Sequence, residues 1–369
     1  MRLEIESSAD LDAALLAGTS LRGAVFQGVD LTGHTSTLLE ADLAGALFLG
    51  CQITPIVADR LHAQRALVFP ETKRVPYALY RRTLYTPEEL FAGFDPSDAS
   101  TYAAMHDERV YQHYVSSGRG LAADAFESLC RALHDHAMCD AREEFVRDRT
   151  VVAVMGGHAM TRDEPGYARV MDLGRRLARR GVLVTTGGGP GAMEAAHLGA
   201  FSAQHDPADV EAAHADLLEA PNFETREAWL AAGLRARARL LEASEGTPSL
   251  GIPTWFYGHE PPSPFPTHIC KYFANAVREE GLLAIARAGV VFAPGSAGTI
   301  QEIFQDAAQN HYTTFGGPSP MVFLGRTYWT ETKPVYPLVA KLAEGKPWGE
   351  RLACVDTPEE AVAALGLPQ

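Results

Sequence analysis

The segment APGSAGTIQEIFQ, residues 293–305, sets two glycines, a serine and a threonine immediately ahead of a carboxylate, Glu302. It follows the apolar run AGVVF, so the small residues stand where a buried strand ends and a helix begins. Glycine lets the backbone approach a ligand closely, and a helix N-terminus offers unpaired N–H donors and a positive dipole end. Pro294, Gly295, Ser296, Gly298 and Thr299 can therefore cradle an anion, with Glu302 as a general base or as the stabiliser of a developing cation. The same pattern also serves as an ordinary strand-to-helix connection, with Glu302 complementing the helix dipole. In each case the dipole predicts a carboxylate that is ionised near neutral pH.

Two more glycine turns end apolar runs: MGGHAMT at 155–161, with Gly156 and Gly157, and TGGGPGAMEA at 186–195, with Gly187, Gly188, Gly189 and Gly191. Ligands of open α/β sheets bind outside the carboxyl ends of the strands, so three such turns on one sheet favour anion binding. The sequence contains no G-x-x-x-x-G-K-[ST], and no G-x-G-x-x-G with a following acidic partner opens the first helix. A dinucleotide or a cleaved triphosphate is thus disfavoured, and a nucleoside monophosphate or sugar phosphate suits a single-anion cradle.

The spacing of THICKYFANAVREEGLLAIAR predicts a helix over 267–287, with Cys270, Phe273, Ala274, Val277, Ala284 and Ile285 on its inner side. His268, Lys271, Asn275 and Arg278 then share a polar stripe, either a solvated face or a set of ligand contacts. Arg278 is the strongest candidate, because a planar guanidinium matches phosphate oxygens or sugar hydroxyls in pairs.

Such side chains need a rigid sheet to position them. From Val151 onward, short β-branched runs alternate with helical segments: VVAVMGG, VLVTTGGGPG, SLGIPTWF, GVVFAPGSAG and PMVFLG. This predicts an α/β, Rossmann-like doubly wound parallel sheet. A helical insertion at 204–247 interrupts it; its Arg235, Arg237 and Arg239 read as a solvated face or a lid. Upstream, a short helix from Ala9 to Ala17 precedes AVFQG VDLTG and ADLAG ALFLG, pentapeptide-like repeats within 24–50. These are too few to bury a core alone and point to a small β-rich lobe. Thr86 and Glu89 form a capping-box pattern, and amphipathic segments follow at 97–116 and 121–147. The expected organisation is a smaller mixed N-terminal domain, 1–148, and a catalytic domain, 149–369.

At 369 residues and 46% hydrophobic content, two such domains have ample material for a core. A formal charge of −14 argues against a nucleic-acid partner, so any phosphate must be held by local donors and placed cations. Five scattered cysteines, Cys51, Cys130, Cys139, Cys270 and Cys354, form no C-x-x-C pair or zinc-spaced cluster. No metal is expected, and reduced thiols in a cytoplasmic protein are the reading. No apolar run approaches membrane-spanning length and no signal pattern opens the chain, so no membrane partner is expected.

GGGPGAMEA, VREEGL and PGSAGTIQE together resemble the LOG (Lonely Guy) family of nucleoside 5′-monophosphate phosphoribohydrolases, over about residues 150–325. That family carries a GGGxxGLMG turn, an arginine-bearing helix and a PGGxGTxxE motif. The resemblance implies hydrolysis of the N-glycosidic bond of a nucleotide, releasing free base and ribose 5-phosphate. It implies Glu302 as the catalytic glutamate and Pro294, Gly295, Gly298 and Thr299 as the phosphate turn, with Gly187, Gly188 and Gly189 as the other nucleotide loop. Arg278 matches the family arginine only with a one-residue shift, since a gapless alignment puts Glu279 there. Ser296 replaces a family glycine, and GGGPGAM is one residue short. The insertion, SLGIPTWFYGHEPP and QDAAQNHY make the chain more similar to the larger bacterial pyrimidine/purine nucleotide 5′-monophosphate nucleosidases. No cofactor is implied, and a homodimer or higher homo-oligomer is. His158 and His268 are candidates for assisting base departure. The alternative is a non-catalytic nucleotide-binding or sensing protein on the same fold.

Overall fold

The computed structural model describes residues 3–258 and 260–367. They form two compact units: residues up to 84 with 116–141, and 85–115 with 142 onward. The sequence suggests a single cut near residue 149, whereas the units interleave.

In the first unit, β1 (Glu4–Ile5), α1 (Ser8–Leu16), β2 (Val25–Gln27), α2 (Thr35–Glu40), β3 (Leu47–Leu49), α3 (Pro55–Ala63) and β4 (Leu67–Phe69) alternate. The sheet is parallel in the order β1-β2-β3-β4. Glu4 pairs with Val25, Val25 with Leu47, and Leu47 with Leu67, a repeat of roughly twenty residues per coil. AVFQG and VDLTG form successive sides of one coil, stacked on the corresponding sides of the next: Phe26 lies flat on Phe48, ring centroids 4.4 Å apart, and Asp30 bridges to Gln52. The rest of each coil is helical. Repetition is thus present, and three inter-coil interfaces with a shared apolar core of Ile5, Leu11, Phe26, Leu38, Phe48 and Leu61 supply the burial that two isolated repeat pairs lack.

The second unit begins with α4 (Pro87–Leu90), capped by the expected Thr86/Glu89 box, and α5 (His106–Ser116). The long α6 (Ala125–Val146) carries the chain to β5 (Val151–Met155). Then come α7 (Pro165–Ala178), β6 (Leu183–Thr186), α8 (Ala192–Phe201), α9 (Pro207–Leu218), α10 (Arg226–Ala243), β7 (Ser249–Gly251) and β8 (His268–Ile269). The chain closes with α11 (Asn275–Ile285), β9 (Val290–Phe292), α12 (Ala297–Tyr312), β10 (Met321–Leu324), α13 (Val335–Ala343), β11 (Leu352–Val355) and α14 (Pro358–Ala364). The sheet is seven-stranded, parallel throughout, in the order β11-β10-β9-β5-β6-β7-β8. The central strands are buried along their whole length, as a parallel sheet covered on both faces requires.

The strand order reverses between β5 and β9. The chain winds outward from β5 to β8, then returns to the other side of β5 and winds out again to β11. At such a switch point the two connections leave in opposite directions and open a crevice at the carboxyl ends of the strands.

Two expectations change here. The helix over 267–287 begins only at Asn275; residues before it form β8 and a bridge from Thr254 to Tyr272. Pairing with β7 outweighs the helical periodicity of THICKYF. The inner side read from that longer helix changes with it: Val277 is 40% exposed. Arg237 in the insertion is also not on a solvated face; it is buried against the Phe201 ring and pairs with Glu88, while Arg235 and Arg239 pair at the surface with Glu219 and Asp216. Among the described residues no helix is long and apolar enough to cross a membrane.

Candidate active site

The crevice between β5 and β9 is built by the turns that follow them. Gly157 donates its N–H to the Pro294 carbonyl at 2.9 Å. A Cβ at Gly157 would stand 3.2 Å from that carbonyl and 3.3 Å from Gly295 Cα, tight enough that the two turns would have to move apart slightly. Gly191, at φ +71°, joins the third turn to them: Ala192 N–H donates to the Gly157 carbonyl, and a Cβ on Gly191 would lie 2.4 Å from that oxygen. All three glycine turns expected from the sequence therefore meet.

They are not equivalent. Gly187, Gly188 and Gly189 are buried, with Gly188 donating to Thr186 Oγ1 and its carbonyl accepting from Ser263 N–H. Thr186 is held in turn by His197, which bridges to Ser249. Full burial lowers the His197 pKa to about 3, so this ring is neutral and positions the turn. In the 293–299 turn, by contrast, Ser296, Ala297 and Gly298 are exposed. Ser296 is the N-cap of α12 and makes no side-chain hydrogen bond to the helix, so the first-turn N–H groups have no acceptor from the cap side chain.

Glu302 lies deeper on α12, with its side chain 15% exposed. Arg278 Nη1 is 3.6 Å from its Oε1, and the other guanidinium nitrogen faces Gly187, 3.6 Å from where a Cβ would stand. Burial dominates the Glu302 carboxyl and Glu279 adds repulsion, while Arg278 opposes both; the pKa is pushed up to about 7. The helix dipole therefore does not keep it fully ionised at neutral pH, contrary to the expectation from its position alone. A carboxyl poised near 7 is suited to taking a proton from water.

Arg278 and Glu279 take different partners. Glu279 accepts from Asn275 at 2.8 Å and from Gln301 at 2.7 Å, tying α11 to the first turn of α12. Arg278 alone turns its guanidinium to Glu302. Lys271 and His268 leave the group: Lys271 is buried against Asp107 at 2.6 Å, beneath Trp255, and His268 packs on Phe145. His158 stands at the rim beside Gly157, paired with Glu260 at 3.0 Å and with its pKa raised by that partner. Among the described residues no group of three or more His, Cys, Asp or Glu is placed to hold a metal ion.

Residues 149–205 match the SLOG cluster4 family (LDcluster4), and residues 7–35 match pentapeptide repeats. The first match covers β5, α7, β6 and α8, and it supports a LOG-like relationship for the second unit at that coarse level. No curated protein matches the chain. Solved structures similar to it include the molybdenum cofactor binding protein of Rippkaea orientalis, with 16% identity, 59% of this chain and 96% of that one covered, and TM-score 0.37. The Moco carrier protein of Chlamydomonas reinhardtii gives 17%, 59%, 96% and 0.36, and the protein TM1055 gives 22%, 59%, 99% and 0.36. With scores this low, the fold rests on the strand order and pairings of this chain.

Two parts of the site carry no sequence signal. Lys333, after a π-helical turn at Tyr328–Thr332, donates to the Gly295 carbonyl at 3.1 Å and to Ser296 Oγ at 3.0 Å. Tyr328 donates its hydroxyl to the same carbonyl at 2.5 Å. TYWTETKP belongs to no motif, and only the return of β10 beside β9 brings it to the turn. Glu194 in GGGPGAMEA, in turn, is structural: Arg162 grips it at 2.6 and 2.9 Å, Tyr167 donates to it, and Arg162 also holds the carbonyls of Ala220 and Trp229 on either side of the turn between α9 and α10.

Proposed function

We propose that this protein hydrolyses the N-glycosidic bond of nucleoside 5′-monophosphates, releasing the free base and ribose 5-phosphate. The observation that carries the proposal is the pairing of a near-neutral Glu302 carboxyl with the Arg278 guanidinium, beside an uncapped helix N-terminus at the sheet's switch point. The exposed 296–298 turn binds the 5′-phosphate, so binding energy remote from the reacting carbon orients the sugar. Arg278 holds ribose hydroxyls and keeps part of the Glu302 population ionised. Ionised Glu302 accepts a proton from the attacking water and stabilises the oxocarbenium-like ribosyl transition state as the base departs. Water's oxygen forms the new bond to the anomeric carbon, and the carbon–nitrogen pair leaves with the base, which gains a proton. No step needs a cofactor. The proposal includes a cytoplasmic homo-oligomer, in keeping with the LOG-like resemblance.

The test is incubation with AMP, GMP, CMP and UMP, followed by chromatography for free base. Release that is lost in Glu302→Gln, with monophosphate binding kept, is the expected result. Absence of release from every monophosphate, with binding intact, would assign the site to nucleotide binding or sensing instead.

A further inference from the structure

We infer that Ser296 and Lys333 form a side-chain clamp for a phosphate monoester, which makes Lys333 the phosphate-binding cation of this site; the inference rests on the anion cradle of the preceding section. A hydroxyl has one hydrogen to give and two lone pairs to offer. Lys333 Nζ donates to Ser296 Oγ at 3.0 Å, occupying a lone pair and leaving the hydroxyl hydrogen free to donate onward. Lys333 itself uses one further donor on the Gly295 carbonyl and has a third, since an ammonium carries three. Both spare donors belong to groups at the N-cap of α12, where the first-turn N–H groups lack a side-chain cap.

A second feature, on separate elements, also points to a ligand. Arg278 on α11 is nine-tenths buried, its Nε has no hydrogen-bond partner, and its guanidinium is directed at Glu302 on α12 and at Gly187. Guanidinium and ammonium thus each reach α12 from another element, Arg278 from α11 at Glu302 and Lys333 from the segment after β10 at Ser296. Net charge strengthens the case. A chain at −14 repels a dianion at long range, so the site must supply its cations locally. Ser296 is the position where a glycine would otherwise keep the turn bare, and a glycine would leave Lys333 without its second anchor. Serine and lysine therefore act together, adding two charge-assisted or hydroxyl donors to the backbone ones.

Titration calorimetry with ribose 5-phosphate, and with ribose as the control, separates this inference from the hydrolytic reading. Wild type is expected to bind ribose 5-phosphate and not ribose. Lys333→Met should bind it at least tenfold more weakly, Lys333→Arg within about threefold of wild type, and Ser296→Gly a few-fold more weakly. Raising sodium chloride should weaken wild type more than Lys333→Met, an effect that a merely structural lysine does not produce. Equal affinity in wild type and Lys333→Met, or no binding to wild type, overturns the clamp. Ser296→Gly decides the question if Lys333→Met fails to fold, and unchanged affinity there also overturns it. Ribose 5-phosphate binding that depends on Lys333, with no base release from any monophosphate, sustains the clamp and removes the hydrolysis. Base release with an unaltered KM in Lys333→Met does the reverse.

Discussion

Arg278 Nη1 and Glu302 Oε1 stand 3.6 Å apart, beyond hydrogen-bond distance and within strong Coulombic reach. The guanidinium therefore lowers a carboxyl that burial raises, and the balance falls at about 7.

That balance sets a pH profile. If ionised Glu302 is the active form, kcat/KM for a monophosphate should climb with pH to a plateau, with its midpoint near 7. Removing the opposing charge in Arg278→Met should move the midpoint upward and lower the plateau. Initial rates from pH 5.5 to 9 check both; a midpoint that stays fixed in Arg278→Met contradicts the coupling.

Gly298 offers a substitution whose fold and site effects have opposite signs. A Cβ there meets nothing within 4 Å, and alanine in a helix is more stable than glycine by roughly 0.5–1 kcal/mol. Gly298→Ala should therefore leave the melting temperature equal or higher. Because the methyl group enters the space above the first turn of α12, monophosphate affinity should fall about tenfold or more. Calorimetry and thermal unfolding on the same preparation test the pair of effects.

Asp306 has no part in the proposed reaction. It is 2% exposed, its Oδ2 has no partner, and burial pushes its pKa up to about 8 from an ordinary 3.8. The folded chain holds a proton there that the unfolded chain releases. Its contribution to stability is full below about 3.8 and is lost as pH rises through 8. Asp306→Asn, which cannot ionise, should remove this loss, making the variant more stable than wild type at pH 9 by on the order of a few kcal/mol. Urea unfolding at pH 6 and pH 9 measures the difference.

Arg162→Met leaves the Glu194 carboxylate buried without its partner, and should cost about 3–5 kcal/mol. The double change Arg162→Met with Glu194→Gln should recover much of that loss. Because Arg162 also holds the Ala220 and Trp229 carbonyls, the single variant should expose the α9–α10 insertion to limited proteolysis first.

The five strands written as short, mostly apolar runs are legible in the sequence, because a strand buried on both faces reads as a near-continuous apolar run, with its few polar members, such as Thr186 and Ser249, hydrogen-bonded. β8 is not: two residues, His268 and Ile269, carry no period, and THICKYF scans as helix until β7 pairs with it. Glycine spacing predicts the meeting of the three turns. The reason for the meeting, Gly157 against Pro294 and Gly191 against Gly157, is a contact between residues far apart in the chain. The charge state of Glu302 misleads at the sequence level, because the dipole is a local property and burial is not. Lys333 is invisible for the same reason, since nothing near TETKP signals that β10 will deliver it to Ser296.

The strand order also dictates when the site can come into being during synthesis. β5 through β8 can pair in the order they are made, each beside its predecessor, but the other wall of the crevice is β9. A nascent chain that ends before Phe292 has a Gly157 with no Pro294 carbonyl to meet, and a chain that ends before Glu302 has no carboxylate in the crevice. Interrupted translation therefore yields sheet fragments in which the crevice has only one wall. Assembly of the crevice thus waits on residues as far along the chain as Lys333, which reaches the Gly295 carbonyl only after β10 has joined β9.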